Sequence, residues 1–326
     1  MSRRAMTIAA LCIMLIVLAA ISMMAGRVWV PFREWLDPAD PRWAIIFELR
    51  LPRTILAVAV GAALGMSGAA MQGYTRNPLA DPGALGVSSM GALGAVLTLY
   101  LGAGASAPWV IASASMLGAL IAVFLLLALS GQASSIVTFV LAGVILQTVA
   151  GAGVALALSL APNPWAVNEI VNWLMGSLAD RSLDEVRMAL PLIVVGTIML
   201  LTTGQSLDAL TLGETGARSL GVNMTTVRWS LALGVALTAG ASVAVTGVIG
   251  FVGLIVPHLL RPLVGARPGG LLIPSAVGGA VLVLAADIAV RLTPAAAGEV
   301  KLGVAMAVLG GPFFFALLLS LRRRIA

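Results

Sequence analysis

Charge is scarce in this sequence of 326 residues, of which only 10% are charged and 60% are hydrophobic. The mean hydropathy of +1.07 is far above that of a soluble domain, whose surface must present polar groups to water. The long gaps between charged clusters can each hold segments of about 20 apolar residues, the length that crosses a hydrocarbon core of about 30 Å. The composition therefore excludes a soluble globular protein and indicates a polytopic membrane protein.

Several kinds of reactive residue are nearly absent as well. The single cysteine, Cys12, excludes an intrachain disulfide and is expected to pack within the first apolar run. The single lysine, Lys301, stands in no GxxxxGK[ST] motif, so the chain does not hydrolyse ATP through a phosphate-binding loop. The single histidine, His258, lies near Arg261 at the end of an apolar run, which favours a polar boundary residue over a haem ligand. With no catalytic constellation, we expect no enzyme activity, no cofactor and no metal site.

Ten apolar runs predict an all-α polytopic membrane protein with about ten transmembrane helices. The predicted spans are 6–25, 54–74, 83–101, 108–129, 136–160, 188–203, 229–245, 247–260, 270–290 and 302–321. An even number of spans places both termini on one side. Arg3 and Arg4 before the first span and Arg322 to Arg324 after the last indicate that this side is the cytoplasm. Because the basic residues lie at membrane boundaries rather than on one continuous face, we expect no nucleic acid partner.

Glycines recur at intervals of three and four residues within several runs, as at Gly61, Gly65 and Gly68. Small residues on one helix face allow the close backbone approach that favours helix association in lipid. The run at 247–260 is short for a full crossing and contains Pro257, so a short or broken helix is predicted there. The pattern predicts a compact bundle with one interrupted span.

The polar segment 203–228 lies between two apolar runs on the predicted cytoplasmic side. Ser206 is positioned to cap a first short helix, and Gly213 to end it. A second helix is expected over 214–220, closed by Gly221. A merely solvated loop is the alternative, although unstructured loops of about 25 residues are uncommon. We interpret the segment as an ordered element that contacts a partner.

Acidic residues are missing from the middle of every apolar run. Ion-coupled carriers commonly place ionisable groups at that depth, so the absence disfavours a secondary carrier. Energy for transport must then come from elsewhere, and the cytoplasmic element at 206–221 is where a partner could deliver it.

Three arginines are predicted near the outer surface. Arg50 and Arg53 are three residues apart and would project from one face on the first turn of the second span, and Arg291 follows the ninth span. They are either snorkelling anchors or a basic docking cluster for an acidic partner. Asp287, four residues before Arg291, is expected to pair with it.

The outer segment 162–187 contains a second amphipathic pattern. Its residues Ile170, Trp173, Leu174 and Leu178 share a helical face. The pattern predicts a short helix that lies over the mouth of the bundle.

Five motifs, in order along nearly the whole chain, resemble those of one family: the permease subunits of the iron-siderophore, haem and cobalamin importers, the type II ABC importers. The motifs are RLPR at 50–53, GAALGMSGAAMQGYTRNPLADPGALGVSS at 61–89, LGETGARSLGV at 212–222, GVIGFVGLIVPHLLR at 247–261 and ADIAVR at 286–291. The resemblance implies the type II ABC importer permease fold, with ten helices in a single transmembrane domain over 1–326. One departure is EVKLG at 299–303, where the family usually has proline in place of Lys301.

The resemblance also implies partners and a location. Such permeases form homodimers among the lipids of the bacterial inner membrane and work with two cytoplasmic ATP-binding subunits and a periplasmic substrate-binding protein. They are non-catalytic conduits that move a bulky metal chelate from periplasm to cytoplasm, energised by the separate ATPase. The cargo stays open among iron-siderophore, haem and cobalamin. A self-sufficient secondary carrier or channel is the alternative function.

Matched residue by residue, the resemblance implies three groups of functional positions. Docking of glutamates from the binding protein is implied for Arg50, Arg53 and Arg291. Coupling to the ATPase is implied for helices at about 206–221, with Leu212, Gly213, Glu214, Ala217, Arg218, Leu220 and Gly221. Gating is implied for Asn77, Leu79, Ser134 and Ser135, together with an outer gating helix at about 165–180.

Overall fold

The structure, a computed structural model, describes residues 3–26, 28–102, 108–131, 135–293 and 299–325. Within these ranges every long regular element is a helix. In chain order they are α1 (Arg3–Met24), α2 (Arg42–Thr75), α3 (Val87–Tyr100), α4 (Pro108–Ser130), α5 (Ile136–Ser159), α6 (Pro164–Leu174), α7 (Leu183–Thr202), α8 (Gly204–Ala209), α9 (Gly213–Ser219), α10 (Met224–Thr246), α11 (Val252–Val264), α12 (Pro268–Leu292) and α13 (Leu302–Ile325). Short 3₁₀ turns lie at Phe32–Leu36, Pro82–Leu85 and Leu210–Leu212.

The apolar helices of the described ranges account for the predicted spans. Seven of them, α1, α2, α4, α5, α7, α10 and α12, are long and apolar enough to cross a membrane. Three more apolar stretches are shorter: α3, α11 and the part of α13 over Leu302–Leu317. Seven and three together match the ten predicted spans, and the prediction of an all-α multi-pass membrane protein is confirmed.

The helices define an outer and an inner end of the bundle. We call outer the end at which α2 begins and α12 finishes, where Arg53 and Asp287 meet. The inner end is where α2 finishes and α12 begins, with Gly73 packed on Pro268. The short helices α8 and α9 join α7 to α10 at this inner end.

Close packing of α2 against α12 forms the centre of the bundle. A β-carbon on Gly61 would fall on the carbonyl oxygen of Gly279, and one on Gly65 would fall on that of Ser275. The two backbones are therefore in direct contact, which only glycine permits at these positions. The predicted role of the glycine spacing is confirmed for this pair of helices.

The interrupted span is present as predicted. Residues 247–251 are not helical, Phe251 has a left-handed φ of 68°, and α11 begins only at Val252. Within α11, Pro257 has no N–H to offer the carbonyl of Gly253. The Gln72 side chain of α2 replaces that donor, with its Nε2 at 3.2 Å from the Gly253 oxygen. A side chain of another helix thus supplies the hydrogen bond that this carbonyl of α11 lacks, as a non-aqueous environment requires.

Two predicted outer elements differ in extent from the observed ones. Helix α2 starts at Arg42 rather than at residue 54, so Arg50 and Arg53 lie inside the helix and not on its first turn. The outer helix predicted at about 165–180 ends at Leu174, because Gly176 adopts a left-handed φ of 67° and turns the chain. Leu178 is fully buried as expected but lies beyond the helix.

The segment at 203–228 is ordered, with one cap misassigned. Ser206 caps nothing, because α8 begins at Gly204 directly after Thr203. Gly213 interrupts the chain as predicted, with a φ of 90°. Gly221 closes α9 in a Schellman arrangement, in which the amide of Val222 bonds the carbonyl of Ala217 at 3.0 Å.

Replacement of Gly279 by alanine tests the close contact of α2 and α12. The added methyl would meet the carbonyl oxygen of Gly61, so we expect a destabilisation of about 1–3 kcal/mol, the usual cost of overpacking. Thermal unfolding in detergent would measure it. Gly151→Ala in α5, where no atom lies within 4 Å of the new methyl, is the matched control and should leave stability unchanged. Equal melting temperatures for the two variants would contradict the packing.

Candidate functional site

Four charged side chains form one buried network at the outer ends of α2 and α12. Arg53 donates to Asp287 at 2.9 Å and to Glu299 at 3.1 Å. Asp287 is fully buried and also accepts a 2.8 Å hydrogen bond from Arg291. The predicted pairing of Asp287 with Arg291 is therefore confirmed. Two guanidinium groups share two carboxylates, which is the neutralisation that buried charges require.

Arg50 is held by backbone instead of by carboxylates. Its Nη1 donates to the carbonyl oxygens of Met23 and Met24, each at 3.0 Å, and its Nη2 donates to that of Val28. The carbonyls of Met23 and Met24 lie at the C-terminal end of α1, where the helix leaves its last oxygens without intrahelical donors; Val28 follows that end. Arg50 therefore closes α1 onto α2.

The three predicted docking arginines thus lie together, but not as exposed cations. Arg50 is 6% exposed and Arg291 is 9% exposed. Arg291 also donates to the carbonyl of Ser22 at 3.1 Å. The expectation that these basic side chains project from the surface is wrong. Instead, their hydrogen bonds connect α1, α2 and α12. A role in docking stays a prediction.

The predicted gate residues Asn77 and Leu79 lie in the turn that follows α2. Arg76 ends that helix in the left-handed region, with a φ of 51°. The Asn77 side chain accepts a 2.9 Å hydrogen bond from the Leu79 amide. Asp81 accepts one from the Gly83 amide at 2.8 Å. Burial raises the pKa of the Asp81 carboxyl, and that hydrogen bond only partly opposes the rise. The turn is fixed by side chain to backbone bonds.

The predicted coupling residues form a compact unit of α8, the 3₁₀ turn and α9 at the inner end, which we call the coupling unit (204–221). Ala217 is fully buried against the bundle, whereas Leu212 and Leu220 are 68% and 65% exposed. Arg218 is exposed as well. One side of the unit is therefore packed and the other presents apolar side chains away from the bundle.

Two carboxylates attach the coupling unit to the helices beside it. Asp208 accepts hydrogen bonds from Arg267 and from the Gly269 amide, both at 2.8 Å, and so binds the first turn of α12. Glu214 accepts a 2.9 Å hydrogen bond from the amide of Ile136, the first residue of α5. Each carboxylate faces the positive end of a helix, where negative charge is favoured.

Glu214 brings the predicted coupling and gate positions into contact. Ser135, a predicted gate residue, is the N-cap of α5, with its hydroxyl 3.3 Å from the Thr138 amide. It directly precedes the amide that Glu214 binds. Ser134, the other predicted gate residue in this loop, lies outside the described residues. Glu214 therefore links α9 directly to the start of α5.

The chain was compared with protein-family models and with known proteins. Residues 14–320 match the model of the FecCD transport family. The chain belongs to the FecCD transport family.

Curated relatives of this FecCD family member include the vitamin B12 import system permease protein BtuC of Klebsiella pneumoniae, 36% identical over 96% of this chain and 93% of the relative. The protein of the same name from Vibrio cholerae is 38% identical, over 90% of this chain and 87% of the relative. A Bacillus subtilis protein named as an ABC transporter permease, YvrB, is 38% identical over 87% of this chain and 81% of the relative.

A solved structure supports the same relationship. It describes an inward-facing conformation of a metal-chelate type ABC transporter, and it matches with a TM-score of 0.85 and 30% identity. The match covers 97% of this chain and 99% of the other. The fold of a multi-pass FecCD permease is therefore shown over almost the whole chain.

Some polar contacts of this FecCD permease could not be found from the sequence. Arg228 is buried and donates to the Tyr74 hydroxyl at 3.1 Å, and Arg261 donates to Gln72 at 2.9 Å. Both arginines stand at predicted span ends, which marks them as polar but does not reveal their partners. Among these residues, Asp208 could best have been identified from the sequence, because it is an acidic residue in the polar segment 203–228. Among the described residues, no three His, Cys, Asp or Glu side chains cluster as metal ligands would.

Replacement of Asp287 by asparagine tests the outer network. The change leaves two buried guanidinium groups with one carboxylate, and breaking a buried ion pair of this kind costs about 3–5 kcal/mol. We expect a large fall in the melting temperature of the detergent-solubilised protein. The control is Asp184→Asn, which removes the exposed pair with Arg187 and should change little. A melting temperature unchanged by Asp287→Asn would contradict the assignment.

Proposed function

We propose that this chain is the permease subunit of an ABC importer in the bacterial inner membrane. It would act as a homodimer with two cytoplasmic ATP-binding subunits and a periplasmic substrate-binding protein. The chain itself catalyses no reaction, and its cargo passes unchanged from the outer to the inner end. The names of its relatives support this assignment, since they are import and ABC transporter permeases.

The observation that carries the proposal is the coupling unit. Leu212 and Leu220 flank α9 and are exposed at the inner end of the bundle, where they form an apolar surface suited to a partner protein. Burial of one leucine side chain contributes about 1.5–3 kcal/mol, so two such anchors supply a large share of an interface. The carboxylates of Asp208 and Glu214 hold the unit against α12 and α5, and force applied there reaches the bundle.

The inner gate is proposed to respond through α5. Closure of the ATP-binding subunits would move α9, and Glu214 would draw the first turn of α5 with it. Ser135 caps that turn, and Asn77 and Leu79 form the other inner turn. We therefore retain these three as gate residues and the coupling residues at 212–221 as the contact with the ATPase.

The outer end is proposed to dock the substrate-binding protein. Arg50, Arg53 and Arg291 supply positive charge there, and carboxylates of the partner would compete with the internal acids for it. Glu299 is the most accessible of those acids, with 29% of its side chain exposed. A partner carboxylate that replaces it would keep Arg53 neutralised while joining the two proteins.

The proposed cargo is a bulky metal chelate. The apolar lining expected from the composition suits partly apolar chelates, and the vitamin B12 permeases among the relatives favour a corrinoid over an iron-siderophore or haem. Uptake assays that compare cobalamin with a ferric siderophore as substrates would distinguish a corrinoid importer from a siderophore importer.

The double variant Leu212→Ser with Leu220→Ser tests contact with the ATPase. Both side chains are exposed in the isolated chain, so the variant should fold and insert normally. We expect its association with the ATP-binding subunit to weaken at least tenfold, because two apolar anchors are lost. Co-purification and titration in nanodiscs would measure the affinity.

The matched control for this variant is Leu101→Ser, which removes an equally exposed leucine, 75% exposed, at the outer end of α3. It should bind the ATP-binding subunit like the wild type. Full binding by the double variant would show that 212–220 is not the contact, and the ABC permease assignment would lose its main support.

A further inference from the structure

A charged cavity of about 310 Å³ opens at the outer end beside the arginine network. It lies between the connection of α1 to α2, the outer end of α12 and the turn that joins α6 to α7. The charged residues among its lining are Arg50, Arg53, Asp180, Arg181, Arg291 and Glu299. Four are basic and two acidic, so the lining has a net charge of +2.

Two of the four arginines are already neutralised inside the protein. Arg53 and Arg291 share the carboxylates of Asp287 and Glu299. Arg50 bonds only carbonyl oxygens, which occupy three of its five N–H donors and supply no negative charge. With Arg53 and Arg291 balanced by Asp287 and Glu299, the charges that remain at the cavity are those of Arg50, Arg181 and Asp180, a net of +1.

Arg181 is the less satisfied of these two. Its Nε is buried without a hydrogen-bond partner among the described residues, and the same part of the chain offers it no carboxylate within 4 Å. The nearby Glu185 is occupied as the second half of a capping box, accepting from the Ser182 amide at 2.8 Å and from its hydroxyl at 2.6 Å. Asp180 also lines the cavity, but it is exposed to solvent and forms no ion pair with Arg181 within 4 Å among the described residues.

Partial burial of the Arg181 guanidinium group favours the binding of an anion to it. Burial lowers the pKa of the Arg181 guanidinium, yet arginine stays protonated at any physiological pH. The carboxylates of Glu185 and Asp180 act on it from a distance and oppose that shift only in part. A half-buried cation with no carboxylate bonded to it gains free energy when one reaches it, because hydrogen bonds between charged groups are the stronger class.

We propose that Arg181, together with Arg50, receives an acidic side chain of the substrate-binding protein in this cavity. The inference rests on the proposed function and adds a recognition residue to the outer cluster. The cavity volume of about 310 Å³ is at the lower end of the range for drug-sized ligands, about 300 to 1,000 Å³. It can hold an acidic side chain but leaves little room for a bulky chelate. The partner's carboxylate would approach the guanidinium N–H groups of Arg181, to which no other described residue is hydrogen-bonded.

The test compares the affinity of the permease for the substrate-binding protein encoded with it, using permease reconstituted in nanodiscs. Arg181→Gln removes the charge and retains a polar side chain of similar reach. We expect its Kd to rise about tenfold at low salt and the salt dependence of binding to become shallower, because one charge pair is lost. Arg181→Lys should recover part of the affinity.

Arg187→Gln is the matched control, since Arg187 stands six residues later, is exposed, and pairs with Asp184 outside the cavity. It should bind like the wild type. Wild-type affinity for Arg181→Gln would overturn the inference while leaving the proposed function intact. Unchanged affinity combined with reduced cargo uptake would also overturn it, since the cargo itself would then contact Arg181. A wild-type permease that does not bind the substrate-binding protein at all would overturn the proposed function and the inference with it.

Discussion

Direct backbone contact between α2 and α12 is the constraint on which the rest of the molecule depends. Gly61 lies against Gly279, and the two helices run in opposite directions. Eight residues further outward on each helix, about 12 Å along the axis, stand Arg53 and Asp287, which form the central ion pair of the outer network. Bulkier residues at the glycine positions would separate the helices and leave a buried carboxylate without its partner. Close packing thus determines whether the outer charges are neutralised.

The same pair of helices connects the outer end to the inner one. Asp208 of the coupling unit binds the first turn of α12, whose last turn carries Arg291. The coupling unit also binds the first turn of α5 through Glu214. Helix α12 is therefore held by carboxylates at both of its ends, by Asp287 outside and by Asp208 inside. In the proposed transporter, docking outside and force applied inside would both act on this helix.

The sequence predicted the helical class, the number and order of the spans, the break before α11 and the helical character of 206–221. These features follow from local signals: apolar run length, glycine spacing, proline position and turn residues. Helix ends were less well predicted, because α2 extends through a polar stretch to Arg42 and Gly176 ends the outer helix early. Of the outer ion network, only the local pair of Asp287 and Arg291 was predicted. Arg53 and Glu299 are 246 residues apart, and a single sequence carries no signal for such a contact. The link from Glu214 to Ile136 was missed for the same reason.

In the proposed transporter, energy enters at the coupling unit and reaches the gate through Glu214. The most direct test places the Glu214→Ala variant in proteoliposomes with the ATP-binding subunits and the substrate-binding protein, and measures ATP hydrolysis and cargo uptake together. Asp184→Ala, which removes an exposed carboxylate outside the coupling unit, serves as the control. We expect Glu214→Ala to keep most of its ATP hydrolysis but to lose at least nine-tenths of its cargo uptake. This tenfold loss corresponds to about 1.4 kcal/mol of coupling free energy. An unchanged number of cargo molecules moved per ATP would contradict this expectation.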